Sequence, residues 1–249
     1  MKKTLLSLVV AIASALGANA QNWFSYDVCN HLSVGVEAGS PGIGIDVATT
    51  LGSHFQLRGG VTVMPTIKFS NELLADYNGS SWNYPYYEGY YGDSYVDVEA
   101  KTGFVNGKLL VDFYPSKSKI FHLTVGAYFG GSKIVEAYNK EDGALLNYRN
   151  IYIGDYQLTP DENGNINAQI KTNSFKPYVG LGFGRSVSKR KTLSFQVDMG
   201  VQFWGKPKLM CNGEQLESSD LDDDGEFLDI ISNLRVYPVI SFRLSGKIF

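Results

Sequence analysis

Apolar and polar residues alternate with period two along eight stretches of this chain, the signature of strands with one apolar face. Residues 193–203 are the clearest case: Leu193, Phe195, Val197, Met199, Val201 and Phe203 share one face, and Ser194, Gln196, Asp198, Gly200 and Gln202 the other. Residues 175–183 repeat the pattern, with Phe175, Pro177, Val179, Leu181 and Phe183 opposite Lys176, Tyr178, Gly180 and Gly182. So do residues 121–129, with Phe121, Leu123, Val125, Ala127 and Phe129 opposite His122, Thr124, Gly126 and Tyr128. Further strands are predicted over 32–38, 43–51, 55–69, 95–113 and 236–248. In the fourth strand the apolar phase changes between Phe104 and Val105, beside Gly103, which predicts a β-bulge or bend at that point.

Alternation also fits a water-soluble sandwich, so the character of the second face decides between them. In a sandwich or lipocalin the apolar face is the core, whereas in a membrane barrel it meets lipid and the lumen side is small and polar. Here the second face carries Gly35, Gly44, Gly60, Gly126, Gly180, Gly182 and Gly200 together with Glu37, Asp46, Arg58, Lys108, Asp112, Asp198, Arg243 and Lys247. A solvent-facing sheet surface favours long side chains and threonine over repeated glycine, so this composition points to a cramped interior. The fold expected is all-β: a single antiparallel up-and-down transmembrane β-barrel of about eight strands with long external loops.

Connection lengths fit that reading, since small membrane barrels have short periplasmic turns and long external loops. Short connections occur at Gly52-Ser53-His54, Pro115 to Lys119 and Ser188 to Lys191. Long ones occur near 70–94, 140–173 and 208–233, after a short first one at Ser40-Pro41-Gly42.

The start of the chain sets the compartment. Lys2 and Lys3 precede an apolar run from Leu5 to Leu16, and Ala18-Asn19-Ala20 lies just before Gln21. That pattern predicts a cleaved signal peptide over 1–20 and a barrel domain over 21–249. The run is well short of the ~20 residues a membrane helix needs, and no second apolar stretch reaches that length. The 249-residue chain has a net charge of −3, and losing Lys2 and Lys3 leaves −5. Nucleic-acid binding is not expected from such a balance.

With the leader, the eight amphipathic strands and a closing strand ending in an aromatic residue, the chain resembles the small outer-membrane barrels of the OmpA/OmpX kind. Its large aromatic external loops are similar to those of Bacteroidetes outer-membrane barrels. The resemblance covers residues 30–249 as a pattern, without a specific motif. It implies an outer-membrane location in contact with lipid and lipopolysaccharide. It also implies recognition of the closing strand by the barrel-assembly machinery through Phe249, although Phe249 is out of phase with Ile240, Phe242, Leu244 and Ile248. No peptidoglycan-binding domain is expected after the barrel.

Candidate chemistry falls in several places. The eight charged lumen residues, balanced in sign, predict an interior filled by ion pairs, because an eight-stranded barrel is just wide enough for side chains and an unpaired buried ion costs several kcal/mol. This favours a structural or surface-interaction role. A narrow solute channel and an outer-leaflet lipid-modifying enzyme are the alternatives. The enzyme would need a base at the external rim, but His31, His54 and His122 all map to the periplasmic end, so no catalysis is expected.

Trp82, Tyr84, Tyr86, Tyr87, Tyr90 and Tyr91 crowd one external loop with Gly89 and Gly92. That composition suits contact with a protein or glycan ligand and equally an interfacial aromatic belt. Asp220, Asp222 and Asp224 before Gly225 match the first half of a calcium loop. Ile231 stands where the closing glutamate belongs, so the residues fit either calcium or a solvated acidic tip, and no other cofactor is expected. Asp161, Asn163 and Asn165 around Gly164 predict a hairpin turn. Cys29 and Cys211 map to opposite sides of the membrane, roughly 30 Å apart, too far for a disulfide, and are expected as free thiols.

Overall fold

The computed structural model describes residues 28–77, 94–146, 148–153, 156–187, 192–215 and 235–248. These residues form β1 (Val28–Gly39), β2 (Gly42–Leu51), β3 (Phe55–Tyr77), β4 (Ser94–Phe113), β5 (Phe121–Gly130), β6 (Lys133–Asn139), β7 (Tyr148–Ile153), β8 (Tyr156–Leu158), β9 (Asn167–Lys171), β10 (Phe175–Gly184), β11 (Leu193–Phe203), β12 (Lys208–Cys211), β13 (Glu214–Gln215) and β14 (Val236–Lys247). No helix occurs among them.

Eight of the strands close an antiparallel barrel in the order β1, β2, β3, β4, β5, β10, β11, β14. The seam is the pairing of β1 with β14, from Ser33 opposite Lys247 to Gly39 opposite Ser241. Closure leaves no edge to satisfy, as a backbone in hydrocarbon requires. The predicted strands are these eight.

The barrel wears its apolar residues outside. Ile45 and Leu193 are 65% exposed, and Val36, Leu109, Val125, Leu181, Phe195 and Phe242 are likewise open to the surroundings. β5 and β10 have ten residues each, the length of a tilted strand that crosses hydrocarbon. Phe129 of β5 and Phe175 of β10 lie with ring centroids 5.4 Å apart near one end of this belt.

Above that end the sheet continues. β3 and β4 run on as a long ribbon, paired from Ile67 opposite Thr102 to Ala75 opposite Ser94. β6, β9, β12 and β13 extend the sheet from β4, and β7 and β8 extend it from β3. The expected external loops near 70–94, 140–173 and 208–233 are therefore corrected in part to a second tier of strands. Physically, the ribbon presents free backbone edges above the membrane, and these segments satisfy them by pairing.

In this tier the apolar face changes sides. On β4 the even-numbered residues point inward throughout: Asn106, Lys108, Leu110 and Asp112 in the barrel, Val96 and Val98 in the extension. Below, the inner face is polar and the outer one apolar. Above, Val96 joins Leu145, Leu158, Ile166, Ala168 and Cys211 in a buried core and Val98 is buried as well, while Lys101, Glu99 and Asp97 face out. Water has replaced lipid as the exterior solvent, and the pattern inverts accordingly.

This corrects the bulge expected beside Gly103. The irregularity lies on β3, where Pro65 and Thr66 together oppose Gly103 between the pairs Met64–Phe104 and Ile67–Thr102. A side chain at Gly103 would press on Thr66, with a Cβ only 3.0 Å from its Cα. β4 continues straight, and its apolar phase shifts because Phe104 is an inward residue at the point where the solvent changes. On β3 the extra residue performs the same transfer by rotating Ile67, Phe69 and Leu73 onto the inner face.

Asp161 organises a tight turn, its carboxylate accepting from Asn163 N at 3.0 Å and Asn165 N at 2.8 Å. Gly164 supplies the left-handed residue, φ +72°, but β8 and β9 on either side do not pair, so the turn joins strands of different parts of the sheet. Cys29 is exposed at the start of β1, Cys211 is buried in the extension, and both are free thiols. Burial, with Glu214 nearby, raises the pKa of the Cys211 thiol.

Candidate functional site

The alternation that turns apolar residues outward on each strand turns the intervening ones into a lumen about one side chain wide. Seven of the predicted lumen charges come together there. Arg58 on β3 reaches two carboxylates, Asp112 on β4 at 2.7 Å and Asp198 on β11 at 2.8 Å. Lys108 on β4 bridges Glu37 on β1 at 2.5 Å and Asp46 on β2 at 2.8 Å. Arg243 on β14 completes this second cluster, its Nε donating to the other oxygen of Asp46 at 2.8 Å. Gly35 makes this fit possible, since a Cβ there would lie 2.7 Å from the Arg243 guanidinium carbon. Lys247, the eighth, is half-buried at the end of β14.

Further side chains contact the same carboxylates. Asp112 accepts from Thr124 Oγ1 at 2.9 Å and Ser186 Oγ at 2.6 Å, and Asp198 contacts His122 Nε2 at 2.8 Å. The ligand atoms of Asp112, His122 and Asp198 lie within 4.8 Å of one another, a spacing that could suit a metal. The Arg58 guanidinium already occupies the position between the two carboxylates, so a metal ion would have to displace it.

Both ends of this network are stoppered. At the turn end, Arg185 to Val187 fold back, and Ser186 and Val187 are completely buried. The Ser186 carbonyl accepts from Ser33 Oγ at 2.7 Å, Arg243 Nη1 at 3.0 Å and Ser245 Oγ at 3.2 Å. Gln56 clasps Val187 through both its amide nitrogen and its oxygen, at 2.9 and 3.0 Å. At the extension end, Trp204 stacks on Tyr237 at 4.4 Å and meets Phe104 edge-on at 5.9 Å.

Beneath these rings Lys176 Nζ donates to Asn106 Oδ1 at 3.0 Å and to the carbonyls of Gly130 and Gly131 at 2.9 Å each. It lies 5.6 and 5.7 Å from the ring centres of Phe104 and Trp204, within cation–π range. No carboxylate pairs with it among the described residues. Sequence reading placed Lys176 and His122 on the inner face but left both out of the lumen network. The inward phase of each strand was the signal for both.

The extension offers two surfaces. Its inner face holds an apolar cavity of about 330 Å³ lined by Phe69, Leu73, Val98, Val135, Ile170 and Leu209. Its outer face is charged. Lys68 contacts Glu99 at 2.7 Å, and this bond holds the Glu99 carboxyl below its usual pKa and raises that of Lys68. Tyr138 also donates to Glu99. Partial burial raises the pKa of Glu136, but Lys101 at 3.2 Å outweighs it and the net shift is downward. Trp82, Tyr84, Tyr86, Tyr87, Tyr90, Tyr91, Asp220, Asp222, Asp224, Phe249 and the leader 1–20 lie outside the described residues.

No protein-family model matches the chain, and no curated protein does either. Among solved structures, CarO2 of Acinetobacter baumannii aligns with a TM-score of 0.50 and 16% identity, covering 89% of this chain and 100% of that one. CarO of the same organism aligns with a TM-score of 0.45 and 17% identity, over 86% of this chain and 96% of that one. The sequence is far from both, and what the chain has in common with CarO2 is its fold, an eight-stranded barrel closed by antiparallel pairing.

Proposed function

We propose that this chain is an outer-membrane barrel, exported with the leader 1–20, that acts as a structural and surface-interaction protein without catalysis or bulk solute passage. The observation that carries this reading is the filled lumen. Arg58, Arg243, Lys108 and Lys176 are at most 4% exposed and sit between a folded-in turn and an aromatic lid. A water-filled path would leave such groups hydrated. The extension is then external, and contact with a protein or glycan falls to it and to the aromatic segment 82–91. The turn end faces the periplasm, where the closing strand would meet the assembly machinery.

The three histidines of the chain agree with a non-catalytic role, since His54 and His122 belong to the turn end, away from an outer leaflet. Purified full-length protein reconstituted in planar bilayers is expected to give no single-channel steps. Steps that persist in the folded, heat-modifiable species would replace this reading with that of a narrow channel.

A further inference from the structure

The outer face of the extension carries a row of lysines, one on each of five adjacent strands. Lys68 on β3 stands directly opposite Lys101 on β4. Lys133 on β6 stands opposite Lys171 on β9, and Lys171 opposite Lys208 on β12. Like charges in cross-strand register repel, and three consecutive strands in register are an unfavourable arrangement for a sheet to keep without an anion nearby. Two carboxylates share the row: Glu99 with Lys68, and Glu136 with Lys101 at 3.2 Å and Lys133 at 3.7 Å. Lys171 and Lys208 have no carboxylate partner among the described residues. The chain as a whole is net acidic, so this concentration of positive charge is local.

The height of the row identifies what it meets. Lys101 lies four residues beyond Val105, the last outward apolar residue of the membrane part of β4. Lys133 follows Phe129 by four residues, Lys171 precedes Phe175 by four, and Lys208 follows Phe203 by five. Phe129, Phe175 and Phe203 are all outward and exposed. Four or five residues of extended chain rise at most about 17 Å, and a lysine stem can bend back toward the interface. The row therefore stands at the headgroup layer that flanks the hydrocarbon.

From this geometry we infer that Lys133, Lys171 and Lys208, flanked by Lys68 and Lys101, form a docking surface for the phosphate groups of a phosphorylated lipid of the outer leaflet. The inference rests on the outer-membrane reading above and adds to it the lipid chemistry recognised. The apolar band below takes the acyl chains and the ammonium groups take the phosphates, so one molecule engages both.

The test uses the full-length folded barrel in detergent with bis-phosphorylated lipid A as probe, and binding read by native mass spectrometry. Wild type is expected to prefer this lipid over the same glycolipid with its phosphates removed. The variant K133Q/K171Q/K208Q should bind it roughly 10- to 100-fold more weakly, given the attraction of each lysine near a charged surface. The variant K117Q/K119Q, altered at the turn end, should match wild type. Heat-modifiability and unbroken barrel migration report whether each variant is folded.

Equal binding by the folded triple variant, or no preference for the phosphorylated lipid, would overturn the inference. So would displacement of the lipid by millimolar inorganic phosphate, which would mark a site for free anions. Should the barrel conduct ions yet keep its phosphate preference, the closed-lumen reading would fail while the docking surface stood.

Discussion

Replacing Arg58 with alanine is expected to destabilise the folded barrel by about 3–5 kcal/mol, the usual loss when one partner of a buried ion pair is removed. The guanidinium is 1% exposed and touches both Asp112 and Asp198. Without it, two carboxylates remain in a space too narrow to hydrate them well. Thr124, Ser186 and His122 still contact them, but only Arg58 joins the two. Urea unfolding of the protein in detergent, followed by tryptophan fluorescence, measures the change. The triple variant R58M/D112N/D198N should recover most of the loss, because it removes the charges together. A single Arg58→Ala variant as stable as wild type would mean that the lumen is wet and the pairs are screened.

The second large effect concerns the outside of the wall. Val125 lies midway along β5, 55% exposed, between Val111 on β4 and Val179 on β10. Arginine there should cost about 2–4 kcal/mol, the range for a charge at mid-depth on a lipid-facing strand. Arginine at Ser70, outward on the same sheet but above the inversion, should change stability by no more than about 0.5 kcal/mol, as an ordinary surface substitution does. Equal effects at the two sites, measured by unfolding in lipid vesicles, would remove the distinction between a lipid-facing and a water-facing tier.

The eight barrel strands were legible because two constraints act on them together. Closure in lipid fixes the register, and the fixed register makes every outward residue apolar, so Leu193 to Phe203 display an unbroken alternation. The ion pairs of the lumen followed from the same parity. The extension was not legible because its strands obey a different solvent. β6 reads Lys-Ile-Val-Glu-Ala-Tyr-Asn, with a charged outer face and small apolar residues inward, a pattern that resembles a loop when lipid-facing strands are sought. On β3 the apolar positions Val61, Val63, Ile67 and Phe69 keep one phase in sequence, so the bulge at Pro65-Thr66 left no break to notice. Proline was its remaining mark, as it is confined to edges and bulges in sheets. On β4 the break at Phe104 was visible, but it recorded a change of solvent and not a change of backbone. The back-folded Ser186 left no signal, because a short polar turn reads the same whether it faces water or enters the barrel.

The two tiers meet where the two solvents exchange, and one experiment locates that point. Single cysteines placed along β4 from residue 96 to 111, in a C29S/C211A background and reconstituted in lipid vesicles, can be spin-labelled and probed with oxygen and with a water-soluble nickel chelate. Labels at 105, 109 and 111 should favour oxygen, labels at 97, 99 and 101 the nickel chelate, and labels at 96 and 98 neither. If 97, 99 and 101 instead favour oxygen, or 96 and 98 admit the chelate freely, the apolar face does not change sides at Phe104 and the two-tier reading is wrong.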